Sequence, residues 1–125
     1  MKLKETYRMK LSEDAYNICV LGGTEPAYTG KYLNHFEPGQ YHCVCCHLPL
    51  FDSETKFHSG CGWPSYFDSL SGAVHYLDDK SNGMQRTEIQ CANCHSHLGH
   101  VFDDGPEPTG KRYCVNSLSL TFVPD

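Results

Sequence analysis

The sequence predicts a mainly β domain of antiparallel sheets, tied together by one four-cysteine metal site. Three observations predict it. From Gln40 onward, short runs rich in Val, Tyr, Phe, Ile and Thr alternate with clusters of Gly, Pro, Asn and Asp. No long helical pattern separates those runs, so adjacent strands are expected to pair antiparallel. Cys43-Val44-Cys45-Cys46 and Cys91-Ala92-Asn93-Cys94 form two C-x2-C pairs, the spacing of a thiolate knuckle.

The first predicted element is a short helix from Ser12 to Leu21. Ser12 suits the N-cap, Glu13 and Asp14 suit the positive end, and Gly22-Gly23 stops it. Tyr16, Ile18 and Cys19 make no clean apolar stripe. From Thr24 to Gly39 the chain is punctuated by Pro26, Gly30, Pro38 and Gly39, which predicts an irregular wrap over the core. Strands are predicted over Tyr41–Cys43, Leu48–Phe51, Ala73–Leu77, Gln85–Gln90, Leu98–Phe102 and Tyr113–Phe122. Phe57 to Ser69, with Ser59-Gly60-Cys61-Gly62-Trp63-Pro64, reads as a loop that carries the single tryptophan. No repeat or linker divides the 125 residues, so residues 1–125 are expected to form one domain.

A formal net charge of −5 argues against a nucleic-acid partner, because neutralising phosphates needs a basic face. No apolar run approaches the ~20 residues that span a bilayer. The N-terminal residues lack the apolar stretch of a secretory signal, so no membrane association and a cytoplasmic location are expected. In that compartment eight cysteines point to metal binding or redox chemistry rather than to structural disulfides.

Two knuckles facing one another complete a tetrahedron and join distant parts of the chain. Cys43, Cys46, Cys91 and Cys94 are the expected ligands, because only that set gives matched turns. Cys45 competes through a C-x-C arrangement, His47, His95 and His97 lie nearby, and a pair of redox C-x-x-C motifs is the alternative to a metal site. Four thiolates leave no open coordination position, so the ion would be structural. Zinc is the default and iron the alternative.

Cys19, Cys45, Cys61 and Cys114 remain. Cys114 lies in a predicted strand whose alternation puts Arg112, Cys114 and Asn116 on one face. A guanidinium there favours the thiolate. The same parity runs on through Leu118, Leu120 and Phe122, so that face is expected to begin at a site and end in the core. Cys61 stands between two glycines, where a mobile thiol can meet a second one. An inert loop cysteine is the competing reading. Cys19 reads as a small apolar helix residue. His97 and His100 are candidate acids near neutral pH, with Asp104 orienting one of them. The alternative is a set of solvated surface histidines.

Gly60-Cys61-Gly62-Trp63-Pro64-Ser65, His97-Leu98-Gly99-His100-Val101-Phe102 and Arg112-Tyr113-Cys114-Val115-Asn116 together resemble the methionine-R-sulfoxide reductases, the MsrB family. Gly23-Thr24-Glu25-Pro26 and the two C-x2-C pairs fit as well. The resemblance runs from about Leu11 to Val123. It implies a β-tent, two antiparallel sheets with short N-terminal helices and a metal site remote from catalysis. It implies Cys114 as nucleophile, Cys61 as resolving cysteine, and Trp63 as the aromatic against the substrate's S-methyl group. It places His97, His100, Phe102, Asp104, Arg112 and Asn116 around the active site. The implied activity is reduction of methionine-R-sulfoxide in oxidised proteins or peptides, with thioredoxin as reductant. A non-catalytic, metal-stapled binding module of the same fold is the competing function, and a zinc-ribbon nucleic-acid binder is disfavoured by charge.

Overall fold

The computed structural model describes residues 11–125. Helix α1, Glu13–Cys19, begins where Ser12 caps it, the Ala15 N–H donating to Ser12 Oγ at 3.1 Å. Its buried residues are Ala15, Ile18 and Cys19, the i, i+3, i+4 stripe of a helix lying on a core. Ala15, not Tyr16, completes the stripe that the sequence obscures. Gly22 takes the left-handed conformation (φ 77°) that ends the segment, and its N–H donates to the Ile18 carbonyl.

Strands β1 (Gly39–Cys43), β2 (Pro49–Asp52) and β9 (Leu120–Pro124) form a three-stranded sheet in the order β2-β1-β9. Strands β3 (Lys56–Phe57), β4 (Ser65–Tyr66), β5 (Val74–Asp79), β6 (Arg86–Cys91), β7 (His97–Phe102) and β8 (Arg112–Val115) form the second, in the order β3-β4-β8-β7-β6-β5. Every pairing is antiparallel. The fold is therefore mainly β in two antiparallel sheets, as expected. No described helix is long and apolar enough to cross a membrane.

The sheets meet through aromatic rings. Alternation along β1 turns Tyr41 and Cys43 inward. Fully buried Phe51 of β2 stacks on fully buried Tyr66 of β4, centroids 4.3 Å apart, and Tyr41 meets Tyr66 edge-on at 5.4 Å. Such pairs add about 0.5–1.5 kcal/mol each beyond the area they bury.

Two expectations need correction. The stretch read as a loop takes in the last residue of β3 and all of β4, strands of two residues each, too short to carry a period-2 signal. The strand read from Tyr113 to Phe122 is broken: β8 stops at Val115, and Ser117–Ser119 form a 3-10 turn before β9. Ser117 and Ser119 are buried there while Leu118 is only partly so, hence the parity argued from Cys114 to the core does not run past Asn116. Serine hydroxyls stabilise that break: Ser119 Oγ–H donates to the His97 carbonyl at 2.8 Å, and Ser117 Oγ accepts the Tyr32 N–H at 3.2 Å.

Candidate active site and metal centre

The two knuckles are one turn built twice. The Cys43 N–H donates to the Leu48 carbonyl and the His47 N–H to the Cys43 carbonyl, both at 2.8 Å. In the second knuckle Cys91 N–H donates to Ser96 and His95 N–H to Cys91, both at 2.9 Å. His47 and His95 occupy the left-handed position of each turn (φ 67° and 63°) and are exposed, so both fall outside the ligand set. The sulfurs of Cys43, Cys46, Cys91 and Cys94 all lie within 4.8 Å of one another, with Cys43–Cys94 at 3.6 Å and Cys46–Cys91 at 3.5 Å. A tetrahedron with metal–sulfur bonds of about 2.3 Å has edges of about 3.8 Å, so the cage fits a thiolate-bound ion. Cys45 points to the Ser96 hydroxyl at 3.7 Å, beside Cys19, and stands outside the four-sulfur group.

In the six-stranded sheet, β8 places Cys114 between Ser65 of β4 and His100 of β7. A cavity of about 290 Å³ opens over it, lined by Cys61, Trp63, His100, Phe102, Arg112 and Asn116, with Thr24, Arg86 and Gly99 completing the wall. Cys61 reaches it from the segment between β3 and β4. Gly62 (φ 100°) lets the chain pass Ala27, whose Cβ a side chain at 62 would meet at 2.8 Å. The Cys61 and Cys114 sulfurs are 3.5 Å apart, and both are free thiols.

That pair holds one proton tightly and the other loosely. Hydrogen bonding with Cys114, and with the Ser59 and Ser65 hydroxyls, holds the Cys61 pKa down to about 4. The Cys61 thiolate and burial push Cys114 upward, and Arg112 opposes this without prevailing. Arg112 thus favours the Cys114 thiolate, as its place on the same strand face predicts, but the Cys61 sulfur and burial outweigh it. Arg112 is already paired: its Nε–H and Nη2–H donate to Asp104 at 2.9 and 3.1 Å, and it lies 4.4 Å over the Phe102 ring.

Asp104 consequently orients no histidine; two carboxylates absent from the sequence reading do. His100 Nε2 lies 2.7 Å from Asp79 Oδ2, and His97 Nδ1 lies 2.7 Å from Glu88 Oε2. Asp79 also accepts from Arg86 at 3.3 Å, and hydrogen bonds from Ser81 and His100 hold its carboxyl well below the usual range. Residues three apart in a strand face opposite ways. A register shift next to Ile89/Gln90 pairs Ile89 with Gly99 but Gln90 with His97, leaving Leu98 as an extra residue in β7. That bulge turns His97 to the His100 side, with rings 5.7 Å apart. His97 is buried behind the cavity rather than lining it, its Nε2 has no partner, and burial lowers its pKa. Asn116 lines the cavity, but its amide is committed to the backbone: Nδ2–H donates to the Leu98 carbonyl and Oδ1 accepts the Glu25 N–H, both at 3.0 Å. Strand alternation through Arg86 and Glu88 was the signal for the missed partners; Asp79 carried none.

Fold and site together define a two-sheet β protein with a four-cysteine cage and, apart from it, a dithiol in a pocket. The SelR domain family model matches residues 11–124, and the chain belongs to that family. It is 55% identical over 121 residues to a peptide methionine sulfoxide reductase MsrB of Pseudomonas paraeruginosa, covering 96% of this chain and 92% of the relative. A second such reductase, from Thioalkalivibrio sulfidiphilus, is 56% identical over 94% of this chain and 87% of its own. The crystal structure of a Mis18 "Yippee-like" domain shares the fold at TM-score 0.56 and 19% identity, covering 70% of this chain and 96% of that one. The competing function, a binding module without catalysis, finds no support among these relatives.

Proposed function

We propose that the protein reduces methionine sulfoxide in oxidised peptides and proteins, with R selectivity, through the Cys114–Cys61 dithiol. The observation that carries this is the 3.5 Å sulfur pair in a pocket walled by Trp63, Phe102 and His100.

A sulfoxide sulfur is electrophilic, and its oxygen leaves only when protonated. Attack is by the Cys114 thiolate, whose negative charge the Arg112 guanidinium favours. The Cys114 sulfur then takes the oxygen as sulfenic acid, and methionine departs with a lone pair. His100 is the proton donor: Asp79 holds its Nε2, leaving Nδ1 for the sulfoxide oxygen. His97, held by Glu88, packs behind it. Arg112 sits above Phe102 and draws negative charge towards Cys114. Cys61 next displaces water from the sulfenic acid, forming a disulfide that an external dithiol, thioredoxin, reduces by exchange. Trp63 holds the methyl group and the polar wall holds the oxygen, so one epimer fits.

The four-cysteine cage would hold zinc, whose charge neutralises the packed thiolates and staples the sheets; Cys43, Cys46, Cys91 and Cys94 supply every ligand. A cytoplasmic setting, which keeps thiols reduced, suits a chain whose cage and dithiol both need reduced sulfur. Turnover of the separate R and S epimers of a methionine sulfoxide peptide, with thioredoxin or dithiothreitol, tests the reading. R-only turnover is expected; no turnover of either epimer by reduced, metal-loaded protein contradicts it.

A further inference from the structure

Glu25 lies behind the pocket, 2% exposed, and three of its polar groups reach three parts of the site. Its N–H donates to Asn116 Oδ1, its carbonyl accepts the Trp63 Nε1–H, and its Oε1 accepts the Leu118 N–H, each at 3.0 Å. Oε2 has no partner and lies under Gly30, where a Cβ would overlap both it and Ser117 Oγ. Burial raises the pKa of this carboxyl, opposed by the N–H groups of Leu118 and Ser117. An indole has a single hydrogen-bond donor, so the Glu25 carbonyl decides how the ring is held. The neighbouring loop fastens the same segment again: Tyr28 N–H donates to the Gly62 carbonyl at 2.7 Å, and its hydroxyl to the Gly60 carbonyl at 3.0 Å.

We propose that Glu25 is a positioning residue that sets the Trp63 indole against the Cys114 pocket and thereby the fit of the methyl group on sulfur. Its carboxyl is anchored on the 3-10 turn directly after β8, the strand that carries Cys114. The nucleophile and the aromatic wall are thus referenced to one piece of backbone. The inference rests on the reading of Trp63 as a substrate contact.

The test is Glu25→Ala in the full, metal-loaded chain. KM for an R-methionine-sulfoxide peptide rises roughly tenfold while kcat changes much less, the pattern of a lost binding wall. Trp63, the single tryptophan, reports independently: its emission shifts to the red. Glu25→Gln keeps the Oε1 acceptor and recovers both readouts. In a Trp63→Phe background, Glu25→Ala adds no further rise in KM. Wild-type KM and emission in Glu25→Ala, or the same KM rise without Trp63, overturns the proposal. Should Glu25→Ala fail to fold, Gly30→Ala displaces the carboxyl and is decided by the same readouts. If the wild-type chain turns over neither epimer, the functional reading fails, and the emission comparison alone decides the role of Glu25.

Discussion

The protein uses cysteine in two ways, in a cage that draws on both sheets and in a pocket over the six-stranded one, and the surroundings of the sulfur set the difference. In the metal cage, each thiolate pair sits on a turn locked by the same two backbone hydrogen bonds, and Cys43, Cys91 and Cys94 are at most 2% exposed. In the pocket, one thiol sits mid-strand and the other on a glycine-flanked segment, both partly exposed. The shortest sulfur separations are alike, 3.5 and 3.6 Å in the cage and 3.5 Å in the pocket. Distance alone therefore does not separate a structural thiol from a reactive one. Number of sulfurs, rigidity and access do.

Deleting one sulfur from each site has the largest effects. Cys91→Ser, or chelation of the ion, abolishes the cooperative thermal transition, because such a site contributes on the order of 10 kcal/mol to folding. Cys114→Ser leaves the melting temperature nearly unchanged and lowers turnover on the order of 10³-fold or more. A cage variant that melts like wild type after demonstrated metal loss would contradict a structural role for the cage.

Cys61→Ser separates the two pocket thiols. Methionine formation in a single turnover persists, while thioredoxin-supported cycling falls about 100-fold or more. Because the Cys61 thiolate is the main influence raising Cys114, its removal lowers the Cys114 pKa. Alkylation of Cys114 by iodoacetamide near pH 7 is expected to be faster in Cys61→Ser than in wild type, and a slower rate would reverse the assigned electrostatics.

Asp79→Asn sharpens the assignment of the proton donor. Loss of the carboxylate at His100 is expected to lower kcat about 10–100-fold with little change in KM, within the range of general acid catalysis. Asp104→Asn should do less, since that carboxylate serves Arg112.

The smallest effect is on stability. Burial lowers the His97 pKa from 6.5, against the raising influence of Glu88 and Asp79 and with the lowering influence of His100. The unfolded chain then binds more protons than the folded one once pH falls below about 6.5, so stability declines there as pH falls. Denaturant melts at pH 7.5 and 5.5 should show that decline, and His97→Gln should make it shallower.

Much of this was legible in the sequence, and the exceptions have physical causes. Ser12 and the glycines marked the helix because capping is local chemistry. Matched C-x2-C spacing identified the cage because a knuckle is one turn. The partners of His97 and His100 were not legible: Glu88 comes from the adjacent β6 and Asp79 from β5 beyond it, and only the strand pairing brings them close. Asp104 was close in sequence to both histidines but is turned to Arg112. The bulge beside Leu98, which brings His97 round, leaves no residue signature. The 3-10 turn after Asn116 was hidden because its serines look like ordinary strand alternation.

The most direct measurement is a single turnover of reduced Cys61→Ser with an R-methionine-sulfoxide peptide, followed by dimedone trapping and peptide mapping. The account predicts one methionine per chain and the dimedone adduct on Cys114. No methionine, or an adduct on any other cysteine, would contradict it.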